Sequence, residues 1–334
     1  MRKLSNTHRT RPTAEGVVSD NSNTERRVLV LVGPTASGKT AVSFFIAQHL
    51  KIEIISADSR QIYRYMDIGT AKPSGEDRQH IPHHFIDILT PDTEFNAGEY
   101  GKEGRRIVDE IFQRKRMPLV VGGSGLYIQS LVDGFFEGPS ADKTIRKKLN
   151  ERLATEGADK LLEQLRSVDP VAASKMISSN TRRIIRALEV YALSGVPISQ
   201  LQQNRRESNF TPIIVGLQWD RKMLYERINR RVEWMLKQGF VEEVRKLQSL
   251  GYSRDLNAMQ TVGYKEVYDF LEGKTDYDRM VELMKQNSRR FAKRQLTWFR
   301  RDKRIKWYDV QNEEELKTIA VKICDYFGLT KIPL

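Results

Sequence analysis

A glycine-rich segment near the amino terminus could hold a chain of phosphates. It reads GPTASGKT, follows the apolar run VLVLV and precedes a helical pattern, which is the setting in which the G-x-x-x-x-G-K-[ST] motif binds polyphosphates. Its glycines let backbone N–H groups turn toward phosphate oxygens, its lysine adds a positive charge, and its last hydroxyl suits a bridging Mg²⁺ ion. The motif therefore predicts a polyphosphate site made by Gly33, Pro34, Thr35, Ala36, Ser37, Gly38, Lys39 and Thr40, with Thr40 toward Mg²⁺.

An acidic residue follows the next apolar run. The stretch IEIIS (52–56) predicts a second strand, and Asp58 comes just past it. Its carboxylate should lie on the same rim of the sheet as the phosphate loop. There it could ligate Mg²⁺, act as a general base toward an incoming nucleophile, or cap a helix. The spacing leaves these three roles open.

A later strand ends in glycine where a nucleotide hydrolase needs a carboxylate. In PLVVGGSGLY, Gly122 and Gly123 stand where an acidic residue would organise Mg²⁺ and water. The sequence therefore disfavours a hydrolysis motor, although a small-molecule kinase stays open. Ser124, in the same run, could hydrogen-bond a phosphate-ester oxygen or cap the next helix.

The elements that must position these residues alternate between short apolar runs and helical patterns. The runs VLVLV, IEIIS, HHFIDIL and PLVVGG predict four strands with helices between them, and FTPIIVGLQW (210–219) predicts a fifth. This alternation is typical of a parallel sheet with crossover helices. We predict an α/β fold: a P-loop-type parallel sheet flanked by helices, with a helical insertion.

Changes of character along the chain predict its domain boundaries. Residues 1–27 are polar and lack the apolar segment of a secretory signal, so we expect a disordered tail. Residues 28–137 and 207–334 should form the catalytic core with C-terminal helices, and 138–206 a helical insertion. An apolar stripe from Leu224 to Leu247 predicts a long amphipathic helix that Gly239 could interrupt.

The charge balance favours an anionic partner. The chain has 56 Lys and Arg against 43 Asp and Glu, a net charge of +13, which places nucleic acid ahead of a membrane surface. The surplus is clustered: residues 289–306 hold nine basic side chains against one aspartate, and further clusters lie at 146–148, 182–186 and 227–231. Several such clusters after a phosphate site favour a polyanionic macromolecule.

Cysteine content and apolar runs bear on compartment and assembly. The single cysteine, Cys324, cannot form an internal disulfide, which fits a reducing compartment. No apolar run approaches the roughly 18–20 residues of a membrane span. We therefore expect a cytoplasmic protein without membrane association, and, in the absence of an extended coiled-coil pattern, a monomer.

Long stretches of the sequence resemble the tRNA dimethylallyltransferase family, also described as tRNA isopentenyltransferases or IPP transferases. The matching text runs in order between about residues 28 and 308: GPTASGKT, ISADSRQIYRYMDIGTAKP, PHHFIDI, VGGSGLYIQSLVDG, DPVAASKMISSNTRRIIRALEVYALSG, RINRRVEWMLKQGFVEEVRKL, QTVGYKE and AKRQLTWFRRD. The resemblance implies that a dimethylallyl group passes from dimethylallyl diphosphate to N6 of the adenosine 3′ of the anticodon (position 37). It implies tRNAs that read codons beginning with U, and the products N6-isopentenyladenosine and diphosphate.

The resemblance also implies roles for individual residues. Asp58 would take a proton from adenine N6, with Ser124 beside it where the family usually has threonine, and Arg227 and Arg231 would meet the diphosphate. The implied tRNA-facing residues are Asp58, Ser59, Arg60, Gln61, Ser124, Arg146, Arg182, Arg183, Ile184, Ile185, Arg186, Gln260, Thr261, Val262, Gly263, Tyr264, Lys265, Lys293, Arg294, Gln295, Trp298 and Arg300. The helical insertion would grip the anticodon stem-loop, and the target adenine would be flipped out of its stack.

Three other functions compete with this one. An adenylate isopentenyltransferase of the cytokinin type would share the core chemistry without a grip on RNA. A small-molecule P-loop kinase would place ATP in the loop and use Asp58 to activate a hydroxyl. A non-catalytic RNA-binding P-loop protein would not need an acid at position 58. The basic clusters favour the tRNA-modifying function over the first two.

Overall fold

One parallel sheet forms the centre of the molecule. The computed structural model describes residues 26–136, 138–203 and 208–327. In this part of the chain the strands are β1 (Arg27–Val32), β2 (Ile52–Ala57), β3 (His83–His84), β4 (Met117–Gly122), β5 (Thr211–Trp219) and β6 (Lys306–Val310). They join in the order β3-β2-β4-β1-β5-β6, and each neighbouring pair is parallel. The predicted α/β fold with a parallel sheet is confirmed.

Helices connect the strands and cover the sheet. Before β5 they are α1 (Lys39–Ala47), α2 (Gly75–His80), α3 (Ala97–Gln113), α4 (Gly125–Val132), α5 (Lys143–Glu156), α6 (Ala158–Val168), α7 (Pro170–Ala173), α8 (Thr181–Ser194) and α9 (Ile198–Leu201). After β5 they are α10 (Arg221–Lys237), α11 (Phe240–Ser249), α12 (Tyr264–Leu271), α13 (Tyr277–Phe299) and α14 (Glu315–Tyr326). Within the described ranges no helix is long and apolar enough to cross a membrane.

The continuous apolar run of β1 is explained by burial on both faces of the sheet. Val28, Val30 and Val32 join a hydrophobic cluster with α3, α4 and the later helices, whereas Leu29 and Leu31 join a second cluster with α1 and α14. A parallel strand covered on both sides has no polar face, so its sequence does not alternate.

The strand order brings the predicted site residues to one rim. The chain passes from β1 beyond β4 to β2, and later returns to the other side of β1 with β5 and β6. Val32 and Ala57 both pair with Gly122, so β1, β2 and β4 end side by side. The phosphate loop, Asp58 and Ser124 therefore follow three neighbouring strand ends at the point where the strand order reverses, the usual ligand position in such sheets.

Two elements differ from their sequence-based prediction. The third strand is only two residues long, because Phe85 and Asp87 adopt positive φ angles of 61° and 57° and leave the extended conformation. The sequence did not predict the edge strand β6. It begins at Lys306, the last residue of the basic cluster 289–306, and its five residues include the charged Lys306 and Asp309. The stripe after Leu224 forms two helices, with Gly239 at a φ of 89° between them.

The segment predicted as an insertion contains α5 to α9 and has its own apolar interior. Leu149, Leu161, Leu165 and Leu188 belong to a third hydrophobic cluster whose members all lie between residues 136 and 201. The predicted boundaries 28–137, 138–206 and 207–334 stay a prediction. Most of the predicted tail lies outside the described residues, but Arg27, its last residue, is already the first residue of β1.

A buried carboxylate joins β2 to its neighbours at the opposite end of the sheet. The Glu53 side chain is 4% exposed. It accepts two hydrogen bonds from Arg114, at 2.9 and 2.8 Å, and lies 2.8 Å from His84 Nε2. Burial alone would raise the pKa of Glu53, but the hydrogen bonds from Arg114 and His84 outweigh it and lower the pKa.

We expect Glu53→Gln to lower the free energy of unfolding by about 1–3 kcal/mol at neutral pH, because a buried charged hydrogen-bond network loses its acceptor. The folded pKa of Glu53 lies below its unfolded value, so this contribution is present above pH ~4.3 and shrinks as pH falls through the folded pKa. Urea denaturation at several pH values measures it. Glu103→Gln removes an exposed partner of Arg106 and should cost less than about 0.5 kcal/mol; equal losses would contradict the assignment.

Candidate active site at the carboxyl ends of the strands

The phosphate loop is held by its own lysine and by a distant glutamine. Lys39 Nζ donates to the carbonyls of Gly33 and Pro34 at 3.0 and 2.7 Å. The Thr35 N–H donates to Oε1 of Gln295 at 2.8 Å. These bonds fix the first half of the loop in a shape that does not depend on a bound ligand.

The second half of the loop is held by an arginine and a tryptophan. Arg227 Nε donates to the Ala36 carbonyl at 2.8 Å, and Trp219 Nε1 donates to the Ser37 carbonyl at 3.0 Å. The Arg227 guanidinium lies 4.2 Å from the Trp219 ring centroid and pairs with Glu313. Because side chains engage these carbonyls, the loop N–H groups other than those of Thr35 and Ser37, which bond to Gln295 and to the Pro34 carbonyl, can face an anion.

The start of α1 supplies further N–H donors. The first N–H groups of a helix have no intrahelical partner and attract anions. Gly38 precedes α1 with a φ of 91°, and a Cβ there would lie 2.8 Å from Leu316 Cδ1 of α14. The positive φ favours glycine at the entrance of the helix, and a larger residue would also displace the Leu316 side chain.

The loop carries more positive charge than its free state favours. Burial and, to a smaller extent, the charge of Arg231 lower the pKa of Lys39 to about 7, although Asp58 opposes the shift. Burial also lowers the pKa of Arg231, again against the effect of Asp58, although an arginine stays charged. Two poorly hydrated cations with one nearby carboxylate form a site that an anion would stabilise.

Asp58 is fixed through one carboxylate oxygen. Oδ1 accepts from the N–H groups of Arg60 and Gln61 at 2.8 and 3.4 Å. These bonds close a turn, and none of the helices given above begins there, so the helix-cap role does not apply. Within the described part of the chain Oδ2 makes no hydrogen bond, and it is free to accept a proton or a metal ion.

Ser124 links the turn after β2 to the turn after β4. Its Oγ accepts from the Ser59 N–H at 3.1 Å, and its own N–H donates to the Ala57 carbonyl at 3.0 Å. Although it precedes α4, its side chain makes no capping bond. Its hydroxyl proton therefore remains available to a ligand beside Asp58.

The glycines at the end of β4 are required by close packing. A Cβ at Gly122 would lie 2.1 Å from the Ala57 carbonyl oxygen, and one at Gly123 would lie 2.2 Å from Gln295 Nε2. A side chain at Gly122 would require the backbone to move, and one at Gly123 would displace the Gln295 amide. The site is therefore built without the acid that organises water in nucleotide hydrolases.

The two arginines predicted to meet the diphosphate differ in position. Arg227 lies against the Ala36 carbonyl and the Trp219 ring and so supports the loop, and its contact with a diphosphate stays a prediction. Arg231, one turn later, donates to the Thr70 carbonyl at 3.4 Å and is close enough to Lys39 to shift its pKa. Arg231 is the candidate for contact with an anion.

The donor set fits Mg²⁺ bound mainly through substrate. Thr40 is exposed at the start of α1, and no group of three or more His, Cys, Asp or Glu side chains that could hold a metal occurs in the described ranges. Mg²⁺ usually keeps several waters and takes only one or two protein ligands beside phosphate oxygens. A hydroxyl beside a diphosphate pocket meets that requirement.

Several residues predicted to face RNA are exposed cations. Arg182 and Arg183 lie on the first turn of α8, and Lys293, Arg294 and Arg300 lie at the end of α13. Arg146 and Arg186, which are half-buried, both pair with the fully buried Glu189 at 2.9 and 2.8 Å. Gln260 and Lys265 are exposed at the turn before and in the first turn of α12.

Other residues of the same prediction lie inside the protein. Ile184 and Ile185 belong to the third hydrophobic cluster, and Tyr264 is buried with its hydroxyl on Glu243 Oε1 at 2.6 Å. Because these side chains have no free surface in this structure, we do not assign them contact with RNA. Gly263 and Gln295 are buried as well, whereas Thr261, Val262 and Trp298 are half-buried.

The turn after β2 is also engaged internally. The Gln61 amide donates to the carbonyls of Thr70 and Ala71 at 3.3 Å each, and Arg60 Nη1 donates to the Asn257 carbonyl at 2.9 Å. These bonds join the Asp58 turn to the segment around Thr70, which Arg231 contacts from the other side.

Sequence reasoning missed three supporting residues. Trp219 ends β5 on the site rim, so its position in the strand pattern was a usable signal. Glu243 accepts from the N–H groups of Asp67, Ile68 and Gly69 at 2.8, 2.6 and 3.2 Å, and Glu189 pairs with two arginines. The partners of Glu243 are far away along the chain, whereas Glu189 pairs with the distant Arg146 and also with Arg186 three residues before it, a spacing that was a usable signal.

Comparisons with known proteins agree with this geometry. The profile of the family described as IPP transferase matches residues 61–302. The tRNA dimethylallyltransferase of Thermotoga petrophila is 47% identical over 302 residues, covering 89% of this chain and 98% of that protein. That of Geobacter sulfurreducens is 43% identical and covers 93% of this chain and 100% of that protein.

Solved structures show the same fold. The tRNA isopentenylpyrophosphate transferase of Bacillus halodurans is 38% identical, with a TM-score of 0.67 over 91% of this chain and 97% of that one. A eukaryotic dimethylallyltransferase acting on tRNA is 25% identical, with a TM-score of 0.77 over 92% of this chain and 81% of that one. The extent of these matches and of the family profile leads to one conclusion: this chain belongs to the IPP transferase family.

Proposed function

We propose that this protein transfers a dimethylallyl group from dimethylallyl diphosphate to N6 of the tRNA adenosine 3′ of the anticodon, at position 37, in tRNAs that read codons beginning with U. The observation that carries the proposal is one rim that holds both a phosphate loop and a carboxylate with a free oxygen, while packing leaves no room for a hydrolase's acid at Gly122. The relatives named above are dimethylallyltransferases and isopentenyltransferases.

The phosphate loop would serve the leaving group. The bond between the allylic carbon and the diphosphate oxygen breaks, and its electron pair leaves with the oxygen. N–H groups of the loop, Lys39 and Arg231 are placed to stabilise the negative charge that develops there. Mg²⁺, held with help from Thr40, would supply further neutralisation of the diphosphate when bound.

Asp58 would serve the nucleophile. As N6 of adenine forms its bond to the allylic carbon it must lose a proton, and the free Oδ2 of Asp58 can take it. The two hydrogen bonds to Oδ1 keep the carboxylate in one orientation. Ser124 lies next to this turn. Its hydroxyl can donate a hydrogen bond to the adenine or to the oxygen that joins the allylic carbon to the diphosphate.

The RNA would be held by basic side chains outside this rim. An adenine in a stacked loop cannot reach a buried allylic carbon, so it must be flipped into the site. Exposed cations at the start of α8 and the end of α13 would contact backbone phosphates, and half-exposed groups around Gln260 and Lys265 would contact the loop. We propose the segment 138–206 as the part that grips the anticodon stem-loop.

Incubation with labelled dimethylallyl diphosphate, Mg²⁺ and unmodified tRNA tests this function. We expect label to enter tRNA at N6 of the target adenosine and not to enter AMP. Label in AMP would identify the adenylate-type enzyme instead. Phosphorylation of a small alcohol with ATP would identify a kinase and contradict the proposal, as would tRNA binding without any transfer.

We expect Asp58→Asn to lower kcat by about 10²–10⁴-fold, the usual contribution of a general base. Asparagine keeps the acceptor for the Arg60 and Gln61 N–H groups, so the turn and the dissociation constant for tRNA should change little. Single-turnover transfer and filter binding measure the two quantities. Asp92→Asn, an exposed aspartate outside the site, is the matched control, and near-normal turnover in Asp58→Asn would remove Asp58 from the base role.

Diphosphate binding should take up a proton. The pKa of Lys39 is about 7 in the free site, and a bound anion would raise it, so the proton enters on binding between these two pKa values. Affinity should therefore fall as pH rises above 7, by at most about tenfold per unit for a single linked proton. Calorimetry at pH 8 in buffers of different ionisation enthalpy measures the uptake. Lys39→Arg stays charged and should abolish the lysine's share; identical uptake in both proteins would contradict it.

A further inference from the structure

Gln295 touches both turns that form the active-site rim. Its side chain belongs to α13 and is buried, with 8% exposure. Oε1 accepts from the Thr35 N–H of the phosphate loop at 2.8 Å, and Nε2 donates to the Gly123 carbonyl at 3.0 Å. The one amide therefore spans the loop that would hold the diphosphate and the turn that leads to Ser124.

The opposite face of the same helix segment is basic and exposed. Lys293 and Arg294 flank Gln295 and point to solvent, as does Arg300 one turn beyond Leu296. On the inner side, Ala292 and Phe299 are buried. The end of α13 thus presents cations outward and Gln295 inward over about two turns.

The end of α13 packs directly against the turn after β4. A Cβ at Gly123 would lie 2.2 Å from Gln295 Nε2, and one at Gly125 would lie 2.1 Å from Trp298 Nε1. Trp298 is one turn of helix from Gln295. The Gln295 and Trp298 side chains therefore lie directly against the turn after β4, where a shift of the end of α13 would be felt.

We propose that Gln295 is a positioning residue that couples RNA docking on the basic end of α13 to the shape of the phosphate loop, so that RNA and prenyl diphosphate each strengthen the binding of the other. This inference rests on the proposed function, because it needs both substrates. Gln295 itself is buried beneath the RNA-facing side chains, and it acts through the Thr35 peptide and the Gly123 carbonyl.

If Gln295 only filled space, an apolar side chain would serve better than an amide. A buried amide costs free energy unless its donor and acceptor are both satisfied, and here both are satisfied by active-site backbone. Because the Thr35 N–H donates to Gln295, it is not available to a ligand, and this bond fixes the orientation of the Thr35 peptide in the loop. A change in the position of Gln295 would change which loop N–H groups face the diphosphate.

The test compares the affinity for a non-reactive thiolo analogue of dimethylallyl diphosphate, with Mg²⁺, in the absence and presence of a saturating anticodon stem-loop RNA. The ratio of the two dissociation constants is the coupling factor. We expect RNA to tighten analogue binding by about 5- to 150-fold, the usual range of coupling between sites. RNA affinity should increase by the same factor when the analogue is saturating.

In Gln295→Leu, which keeps the volume but loses both hydrogen bonds, the coupling factor should fall to within about twofold of 1. Gln295→Glu serves as a second variant should the leucine variant not fold: it keeps the acceptor for Thr35 but places a carboxylate against the Gly123 carbonyl, and coupling should be lost at neutral pH. Gln286→Leu is the matched control, because Gln286 is an exposed glutamine of α13 away from the basic end and the rim, and it should leave the coupling factor unchanged.

The inference is wrong if the unaltered protein shows no coupling, if the Gln295 variants keep the factor of the unaltered protein, or if Gln286→Leu loses it equally. Prenyl transfer by the unaltered protein is measured in the same preparation. Absence of transfer would contradict the proposed function, whereas transfer without coupling would contradict only the role of Gln295.

Discussion

The site depends on keeping the carbonyl oxygens of the phosphate loop away from an anion. The loop has a carbonyl at every residue and an N–H group at every residue except Pro34, and it attracts phosphate only if the carbonyls are engaged elsewhere. Lys39, Trp219 and Arg227 engage four of them, and Gln295 holds one N–H in place. These side chains come from α1, β5, α10 and α13. The C-terminal helices are therefore part of the phosphate site, although the motif is complete by Thr40.

This arrangement places two positive charges close together in the free site. Lys39 and Arg231 lie close together. Burial and, to a smaller extent, repulsion by the charge of Arg231 lower the pKa of Lys39. A bound anion would relieve the repulsion between these two cations, so the free site favours anion binding. Asp58 reduces the repulsion only in part, and its placement in a turn keeps one oxygen for chemistry. Under the proposed function the same carboxylate would serve as counter-charge in the free site and as base during transfer.

The sequence predicted what is local and missed what is long-range. The parallel sheet, the phosphate loop and the position of Asp58 follow from a motif and from apolar runs of five or six residues, and these signals need no distant partner. The supporting roles of Trp219, Arg227 and Gln295 depend on contacts that span more than 180 positions, and no spacing rule reports them. The burial of Ile184 and Ile185 was missed for a different reason: the resemblance assigns a whole segment to RNA, although only one face of a helix can meet it.

A buried glutamate organises part of the basic surface of α5 and α8. Glu189 is fully buried and pairs with Arg146 and Arg186. Burial raises its pKa, but the hydrogen bonds from these arginines outweigh burial and lower it. One carboxylate between two guanidinium groups leaves one positive charge in excess, held in a fixed place. Arg186 also donates to the Pro139 carbonyl at 2.7 Å, in the segment that leads from α4 into α5. Because ordered side chains lose less conformational entropy on binding, under the proposed function this pair would favour one orientation of a phosphate backbone, whereas the exposed Arg182 and Arg183 would contribute mainly non-directional attraction.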